Sequence, residues 1–142
     1  MKVFRLLSVL LDYPSDELLA SLRESAGKDP LAFVEGLDEV EAFSAVELQT
    51  IANFITTLLD TDPMALQGAY VQNFDLTAEH SLHLTHHLFG EEKTRGPALI
   101  DLGEFYRSYG LKADEKELPD YLPVILEFVA GTRLRIAVTQ CA

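Results

Sequence analysis

Four histidines lie close together in the segment His80-Ser-Leu-His83-Leu-Thr-His86-His87. If the segment is helical, His80, His83 and His87 share one face, because positions i, i+3 and i+7 lie on the same side of a helix. Three imidazoles in that arrangement can bind a metal ion, so a metal-dependent enzyme is one hypothesis. A zinc site of the H-E-x-x-H type, however, has a glutamate directly after the first histidine, where this chain has Ser81. We favour the alternative that the histidines are polar residues on a half-exposed helix, and we expect no metal and no cofactor.

Carboxylates are also numerous, and a pair such as Asp101 and Glu104 shares a helix face at i, i+3 spacing. Such pairs arise by chance in any acidic helical protein. The sequence places no nucleophile elbow, phosphate-binding loop, dinucleotide fingerprint or Cys-His pair beside them. We therefore expect a protein that is not an enzyme.

The charge balance limits the kind of partner. The chain has 142 residues, of which 23 are acidic and 11 basic, and a formal net charge of −12. A nucleic-acid surface needs clustered cations, so we expect no nucleic-acid partner, and a charged partner should be basic. Six acids and no base lie between residues 38 and 62. That segment is either a solvated face or the source of a field that attracts a cationic peptide towards an apolar groove.

Helices must position these residues, because apolar side chains recur with helical period along most of the chain. Three helices are predicted to begin after the capping residues Ser15, Asp29 and Asp62. The strongest helical pattern follows the capping box Ser44-Ala-Val-Glu47. Aromatic and apolar residues predicted to face inward from two later helices are Leu66, Tyr70, Phe74, Leu102, Phe105, Tyr106 and Tyr109. A helix that starts at Thr77 should end at Gly90. Since 48% of the residues are apolar, the sequence predicts an all-α, single-domain helical bundle over residues 1–130.

Residues 131–142 differ from the rest because they contain two arginines, no acid, and a strand-like alternation of Leu134, Ile136 and Val138. We interpret them as an atypical tail, from cloning or read-through, on an amino-terminal fragment of a longer all-helical protein. Cys141 has no second cysteine to pair with, which fits a reducing compartment. No window approaches the roughly 18 apolar residues of a membrane span, so we expect a cytoplasmic protein without membrane insertion.

The segment Glu117-Leu-Pro119-Asp120-Tyr121-Leu-Pro123 has two prolines four residues apart. Pro123 removes a helical hydrogen bond and crowds the carbonyl of Pro119, so the helix must begin irregularly or kink there. Irregular backbone beside two acids and a tyrosine is typical of a functional site. The alternative is an ordinary proline-rich start of a helix.

Four segments together suggest a family. They are Leu-Leu-Asp12-Tyr13-Pro14, the run from Tyr70 to Gly90, Arg95-Gly-Pro-Ala-Leu-Ile-Asp101, and the run from Glu117 to Phe128. The chain resembles, from about residue 3 to 130, the NarJ-type nitrate reductase molybdenum cofactor assembly chaperones, which belong to the redox-enzyme maturation proteins. Glu117 and Asp120 match the acids of the Glu-Pro-x-Asp-His element of that wider class. Tyr121 stands where the element has histidine, and the proline falls at Pro119 rather than directly after the glutamate.

The resemblance implies an all-helical cytoplasmic chaperone, not an enzyme. Such a chaperone binds the amino-terminal segment of the nitrate reductase catalytic subunit. It supports insertion of the molybdenum cofactor and the iron–sulfur cluster before the subunit docks at the membrane. Two alternatives stay open: a metal-dependent enzyme that uses the His80, His83 and His87 helix, and a helical scaffold subunit without a peptide groove.

The expected partner is a short, basic, amphipathic segment that becomes ordered on binding. Its apolar side chains would enter a groove lined by Tyr70, Phe74, Leu102, Phe105 and Tyr106. Its cations would meet Asp75, Glu117 and Asp120, beside Tyr121. Protonation of His80, His83 and His87 between about pH 7.5 and 5.5 would weaken binding of a cationic peptide. Apolar surface left exposed on the fragment would allow a homodimer.

Overall fold

The computed structural model describes residues 2–38, 41–90, 92–113, 117–131 and 138–140. The helices are α1 Lys2–Leu11, α2 Asp16–Ala26, α3 Pro30–Leu37, α4 Ala45–Asp60, α5 Pro63–Tyr70, α6 Leu84–Phe89, α7 Arg95–Ser108 and α8 Leu122–Val129. A π-helical turn, Val71–Asp75, extends α5, and a 3₁₀ turn, Ala78–His80, precedes α6. The predicted all-α class is confirmed.

Two short strands, β1 Leu111–Ala113 and β2 Val138–Gln140, pair antiparallel with Leu111 opposite Gln140. The sequence interpretation missed β1. Of the alternating residues in the predicted tail, Val138 lies in β2, whereas Leu134 and Ile136 lie outside the described residues. The boundary at residue 130 and the origin of the tail stay predictions.

The polar residues predicted to begin helices do so. Ser15, Asp29, Ser44 and Asp62 each accept a hydrogen bond from the backbone N–H three residues further along. These bonds satisfy amides that have no partner inside the helix. At Ser44 the capping box is complete, because the Glu47 side chain accepts the Ser44 N–H at 2.8 Å. The helix starts were therefore predictable from local sequence.

The interior consists of two groups of buried side chains. The larger group joins the first four helices through Leu6, Leu10, Leu19, Leu22, Ala26, Val34, Ile55, Leu58 and Leu59. The smaller group joins α7 and α8 through Tyr106, Tyr121 and Val124, with Leu82, Leu102 and Phe128 packed on it. Helix α1 belongs to both halves, because the buried Ser8 Oγ donates to the Pro123 carbonyl of α8 at 2.6 Å.

The histidine segment is not one helix, so that prediction was wrong. Residues after the 3₁₀ turn are held by the chain before α8: Leu122 N donates to the Leu82 carbonyl at 2.8 Å, and Leu84 N donates to the Asp120 carbonyl at 3.1 Å. These tertiary backbone bonds use groups that a continuous helix would need for its own ladder. Helix α6 ends at Gly90, as predicted, with φ +58°.

Helix α7 also differs from its prediction. Tyr106 is 1% exposed, but Phe105 and Tyr109 are 47% and 65% exposed. One face of α7 meets the Tyr121 and Val124 group, and neighbouring helical positions point away from it. The start of α8 agrees with the alternative of an ordinary proline-rich start, since the helix begins at Leu122 and Pro123 occupies its first turn.

No helix in the described part of the chain has the length and apolar content needed to cross a bilayer.

Candidate functional site

The four segments that carry the family resemblance meet at one place in the fold. Tyr121 is central: its ring stacks on His83 at 5.2 Å, and its backbone pairs with that of His83. Its hydroxyl contacts the hydroxyl of Tyr70 and donates to Asp12 Oδ1 at 3.1 Å. Residues separated by more than a hundred positions in the chain therefore share one hydrogen-bonded network.

Asp120, next to Tyr121 in the chain, holds the backbone around Tyr121 in place. Its side chain is fully buried. Oδ2 accepts hydrogen bonds from Thr85 N at 3.0 Å and Thr85 Oγ1 at 2.6 Å, and lies 3.8 Å from Arg95 Nη2. Arg95 Nε in turn donates to Thr85 Oγ1 at 3.0 Å. Because a buried carboxylate is costly unless bonded, these contacts tie the starts of α6, α7 and α8 together.

The phenols of Tyr70 and Tyr121 link α1, α5 and the start of α8. Tyr70 donates to the Leu11 carbonyl at 2.7 Å, and its oxygen also contacts the Tyr121 hydroxyl. Burial, with smaller contributions from the carboxylates Asp12, Asp75 and Glu117, raises the pKa of Tyr70 to about 12. Burial likewise raises the pKa of Tyr121. Both phenols therefore keep their protons at neutral pH and act as hydrogen-bond donors.

The same carboxylates make the surface of the site acidic. Asp75 is exposed and Glu117 is partly exposed, and the negative charge of each raises the pKa of Tyr70. Burial raises the pKa of Asp12, against the opposing effect of hydrogen bonds from Tyr13 N and the Tyr121 hydroxyl. The site can attract cations through three acids on three different elements.

Aromatic rings lie beside these acids. Tyr13 is 40% exposed and meets Tyr70 edge-on at 5.7 Å, while Phe74 lies against Tyr70 at 4.8 Å. The surface defined by Tyr13, Tyr70, Phe74, Asp12, Asp75 and Glu117 is called the acidic aromatic site below. Aromatic area next to carboxylates suits an amphipathic, basic ligand.

The residues predicted to line one groove fall into two sets, which meet where Tyr106 packs with Tyr121 in the core. Tyr70, Phe74, Asp75, Glu117 and Tyr121 come together at the acidic aromatic site. Phe105 and Tyr106 lie in a second aromatic group with Tyr109 and Phe128, on which Leu102 packs.

Two of the predicted contacts were wrong. Tyr106 is a core residue whose hydroxyl donates to the Pro119 carbonyl at 2.8 Å, so it lines no groove. Asp120 is buried and engaged by Thr85 and Arg95, so it cannot meet the cations of a ligand at the surface. In both residues, the polar group that was predicted to bind the client makes a hydrogen bond in the interior.

The predicted pH-sensing histidines have three different surroundings. His80 lies in the exposed 3₁₀ turn, His83 stacks on Tyr121, and His87 Nε2 lies 2.6 Å from the Ser81 carbonyl. The three histidines therefore do not share a helix face. Within the described ranges, no three His, Cys, Asp or Glu side chains are placed to hold a metal ion. The pH dependence of binding stays a prediction, and His83 is the histidine in contact with Tyr121.

Sequence reasoning missed the parts played by Asp12, Tyr13, Thr85 and Arg95. All four residues stand inside the segments that carry the resemblance, which was the available signal. No local pattern predicts that Asp12 meets Tyr121, because that contact spans 109 positions in the chain.

The chain is similar to a known protein family and to several known proteins. The family model for the nitrate reductase delta subunit matches residues 38–139. The chain is 33% identical over 134 residues to the probable nitrate reductase molybdenum cofactor assembly chaperone NarJ of Bacillus subtilis, which covers 94% of this chain and 67% of the relative. It is 33% identical over 125 residues to the NarJ chaperone of Escherichia coli K12, covering 88% of this chain and 50% of the relative.

A solved structure from Archaeoglobus fulgidus, assigned as a redox enzyme maturation protein, is 27% identical and superimposes with a TM-score of 0.59. That likeness covers 92% of this chain and 70% of the other. The chain thus spans two thirds of the Bacillus relative and half of the Escherichia coli relative. By the family match over residues 38–139 and by its identity to both NarJ chaperones, this chain belongs to the nitrate reductase delta subunit family.

Proposed function

We propose that this chain is a cytoplasmic chaperone, not an enzyme, that binds the basic amino-terminal segment of the nitrate reductase catalytic subunit. In this role it holds the subunit for insertion of the molybdenum cofactor and the iron–sulfur cluster before membrane docking. The observation that carries the proposal is that three of the four family segments, those with Asp12, Tyr70 and Tyr121, meet at the acidic aromatic site. The fourth segment is tied to them through Arg95 and Asp120.

The chemistry of that site fits a basic, amphipathic client. Tyr13 and Phe74 offer aromatic area, and a central aromatic contact is worth about 2 kcal/mol or more in a protein interface. We expect Asp75 and Glu117, whose charges raise the pKa of Tyr70, to meet the cations of the client. Rim charges of this kind mainly set the association rate and its dependence on salt.

The second aromatic group contributes a separate surface. Phe105, Tyr109 and Val129 are 47%, 65% and 55% exposed, and Phe105 and Tyr109 both pack on Phe128. The expected homodimer would use exposed apolar residues of this kind. Sedimentation velocity across a concentration series tests the homodimer. If the wild-type chain is a monomer and Phe105→Ala does not change client affinity, this group takes part neither in dimerisation nor in client binding.

The test of the proposed function is calorimetric titration with a synthetic peptide of the amino-terminal segment of the catalytic subunit. Phe74→Ala should weaken binding by about 2 kcal/mol, which is close to thirtyfold. Phe54→Ala is the matched control, because Phe54 is 45% exposed on α4. A wild-type chain that does not bind the peptide, or equal losses in both variants, would contradict the proposal.

The acids need their own control. Asp75→Asn should slow association and flatten the salt dependence of binding. Asp60→Asn changes the same charge at an exposed position that ends α4. Equal effects of the two variants would show that only the net charge of the chain matters.

A further inference from the structure

A π-helical turn carries two residues of the acidic aromatic site. Phe74 and Asp75 both lie in this turn, Val71–Asp75. The Leu76 N–H donates to the Val71 carbonyl, five positions back, at 3.0 Å. An α-helix would instead pair this amide with the carbonyl four positions back. Short π-helical turns of this kind occur frequently at functional sites.

The longer register decides which side chains share a face of the chain. In an α-helix, Phe74 would lie about 40° around the axis from Tyr70, and Asp75 about 140° from it. In a π-helical turn the bonded groups are five positions apart, so a residue five positions ahead lies close to the first one. The turn therefore moves Asp75 towards the face of Tyr70, on which the Phe74 ring packs at 4.8 Å. The negative charge of Asp75 raises the pKa of Tyr70, in agreement with this placement.

The side chain of Thr77 fixes the same register. Its Oγ1 donates to the Gln72 carbonyl, again five positions back, at 2.8 Å. Thr77 precedes the 3₁₀ turn Ala78–His80, and a threonine in that position commonly caps the turn by accepting an amide hydrogen bond. No such bond forms here. The Thr77 hydroxyl therefore serves the π-helical turn and not the turn that follows.

Hydrogen bonds, rather than packing, maintain the π-helical turn. None of the residues in Val71–Asp75 is buried, and Gln72, Asn73 and Asp75 are exposed. A segment with few buried contacts rearranges at low cost in free energy. The loss of one of its hydrogen bonds should therefore be enough to change its register.

We propose that Thr77 is a positioning residue for the acidic aromatic site: its hydroxyl holds the π-helical turn, and the turn places Asp75 beside Tyr70 and Phe74. This inference rests on the proposed function, and it adds a residue outside the binding surface that sets the geometry of that surface. Without the Thr77 bond, the turn changes to the α-helical register and Asp75 moves away from Tyr70. The site then loses one of its three acids, while Tyr70 and Phe74 stay in contact.

Thr77→Val tests the bond, because valine keeps the shape of the side chain and removes the hydroxyl. Association with a fluorescent client peptide, followed by stopped flow, should be at least threefold slower at low salt and less dependent on salt, as in Asp75→Asn. Thr77→Ser keeps the hydroxyl and should associate as the wild type does. Unchanged association in Thr77→Val, or equal effects of valine and serine, would overturn the inference.

The matched control removes a similar bond elsewhere. Thr57 Oγ1 donates to the Asn53 carbonyl of α4 at 3.0 Å, so Thr57→Val also exchanges a bonded hydroxyl for a methyl group. It should leave association unchanged. If Thr57→Val slows association as much as Thr77→Val does, the position of Thr77 is irrelevant and the inference is wrong.

A double variant separates positioning from a general loss of structure. If Thr77 acts through Asp75, the chain with both Thr77→Val and Asp75→Asn should associate as slowly as either single variant, and no more slowly. Effects that multiply would show that Thr77 acts by another route, which contradicts the proposal.

NMR reports the register without any peptide. The Val71 Hα should show an NOE to the Leu76 amide in the wild type and in Thr77→Ser, because the Val71 carbonyl accepts that amide. This NOE should be lost in Thr77→Val. A valine variant that keeps it would show that the Thr77 hydroxyl does not hold the turn.

The two proposals fail in different ways. A wild-type chain that does not bind the peptide overturns the proposed function, and the role of Thr77 in binding falls with it. A wild-type chain that binds the peptide and is weakened by Phe74→Ala, but whose association is unaffected by Thr77→Val, keeps the client function and excludes Thr77 from it.

Discussion

Replacing Thr85 by valine tests whether the Asp120 network holds the site together. Thr85 is 8% exposed and its Oγ1 donates to Asp120 Oδ2 at 2.6 Å. Valine keeps the shape of the side chain, so the substitution removes the hydroxyl and opens little space. It leaves the Thr85 backbone N–H as a donor to the same oxygen.

The magnitude follows from the partners of Asp120. A hydrogen bond to a charged group contributes about 1.5–3 kcal/mol to stability. Asp120 Oδ1 has no hydrogen-bond partner in the described part of the chain, so losing the Thr85 hydroxyl bond leaves a carboxylate with few contacts. Arg95 also loses a bond to Oγ1, but its side chain is 27% exposed and water can replace that bond. We expect Thr85→Val to lower the free energy of unfolding by about 2 kcal/mol.

Urea denaturation at neutral pH measures this change as a lower midpoint with an unchanged m-value. Thr85→Ser keeps the hydroxyl and loses one methyl group, so it should cost about 1 kcal/mol. Thr57→Val, on the exposed face of α4, should change stability by no more than about 0.5 kcal/mol. If Thr85→Val costs less than Thr85→Ser, the hydroxyl bond adds nothing and the reasoning about Asp120 is refuted.

Burial raises the pKa of Asp12 above its ordinary 3.8, so the folded chain binds this proton more tightly than the unfolded chain. The stability that comes from this proton is present below pH 3.8 and is lost as the pH rises through the folded pKa. The stability of Asp12→Asn relative to wild type should therefore increase from acid to neutral pH in paired urea titrations; a constant difference would show that the buried carboxyl does not titrate in this way. Gly90→Ala should destabilise the chain by about 1–3 kcal/mol, because Gly90 has φ +58°. Gly68 lies within α5, where an added Cβ meets no atom within 4 Å, so Gly68→Ala should stabilise the chain by about 0.5–1 kcal/mol. If thermal unfolding shows equal effects for the two variants, the backbone angle at Gly90 is not the cause of the loss in Gly90→Ala.

Local sequence carried most of the helical architecture. The caps at Ser15, Asp29, Ser44 and Asp62 predicted helix starts, because the bonds that they accept come from amides three residues away. Gly90 predicted the end of α6 for the same kind of reason, since the conformation that it adopts is accessible mainly to glycine. Fold class and family were therefore available from the sequence.

Tertiary contacts decided which residues form the site. Asp120 and Tyr106 are residue types that suit a binding groove, yet Thr85, Arg95 and the Pro119 carbonyl bond them in the interior. The histidine run has helical spacing, yet backbone bonds to the segment before α8 interrupt it. Periodicity describes one helix at a time and does not say which neighbour it meets.

By itself the sequence determined the helices, their caps, the acidic charge and the family, because each of these depends on residue types and on neighbours within a few positions. Only the tertiary structure placed Asp12 against Tyr121, formed the cleft between α1, α2 and α3 that Asp12 lines, and buried Asp120. Those outcomes depend on how α1 packs between the two halves of the core, through contacts that span the length of the chain.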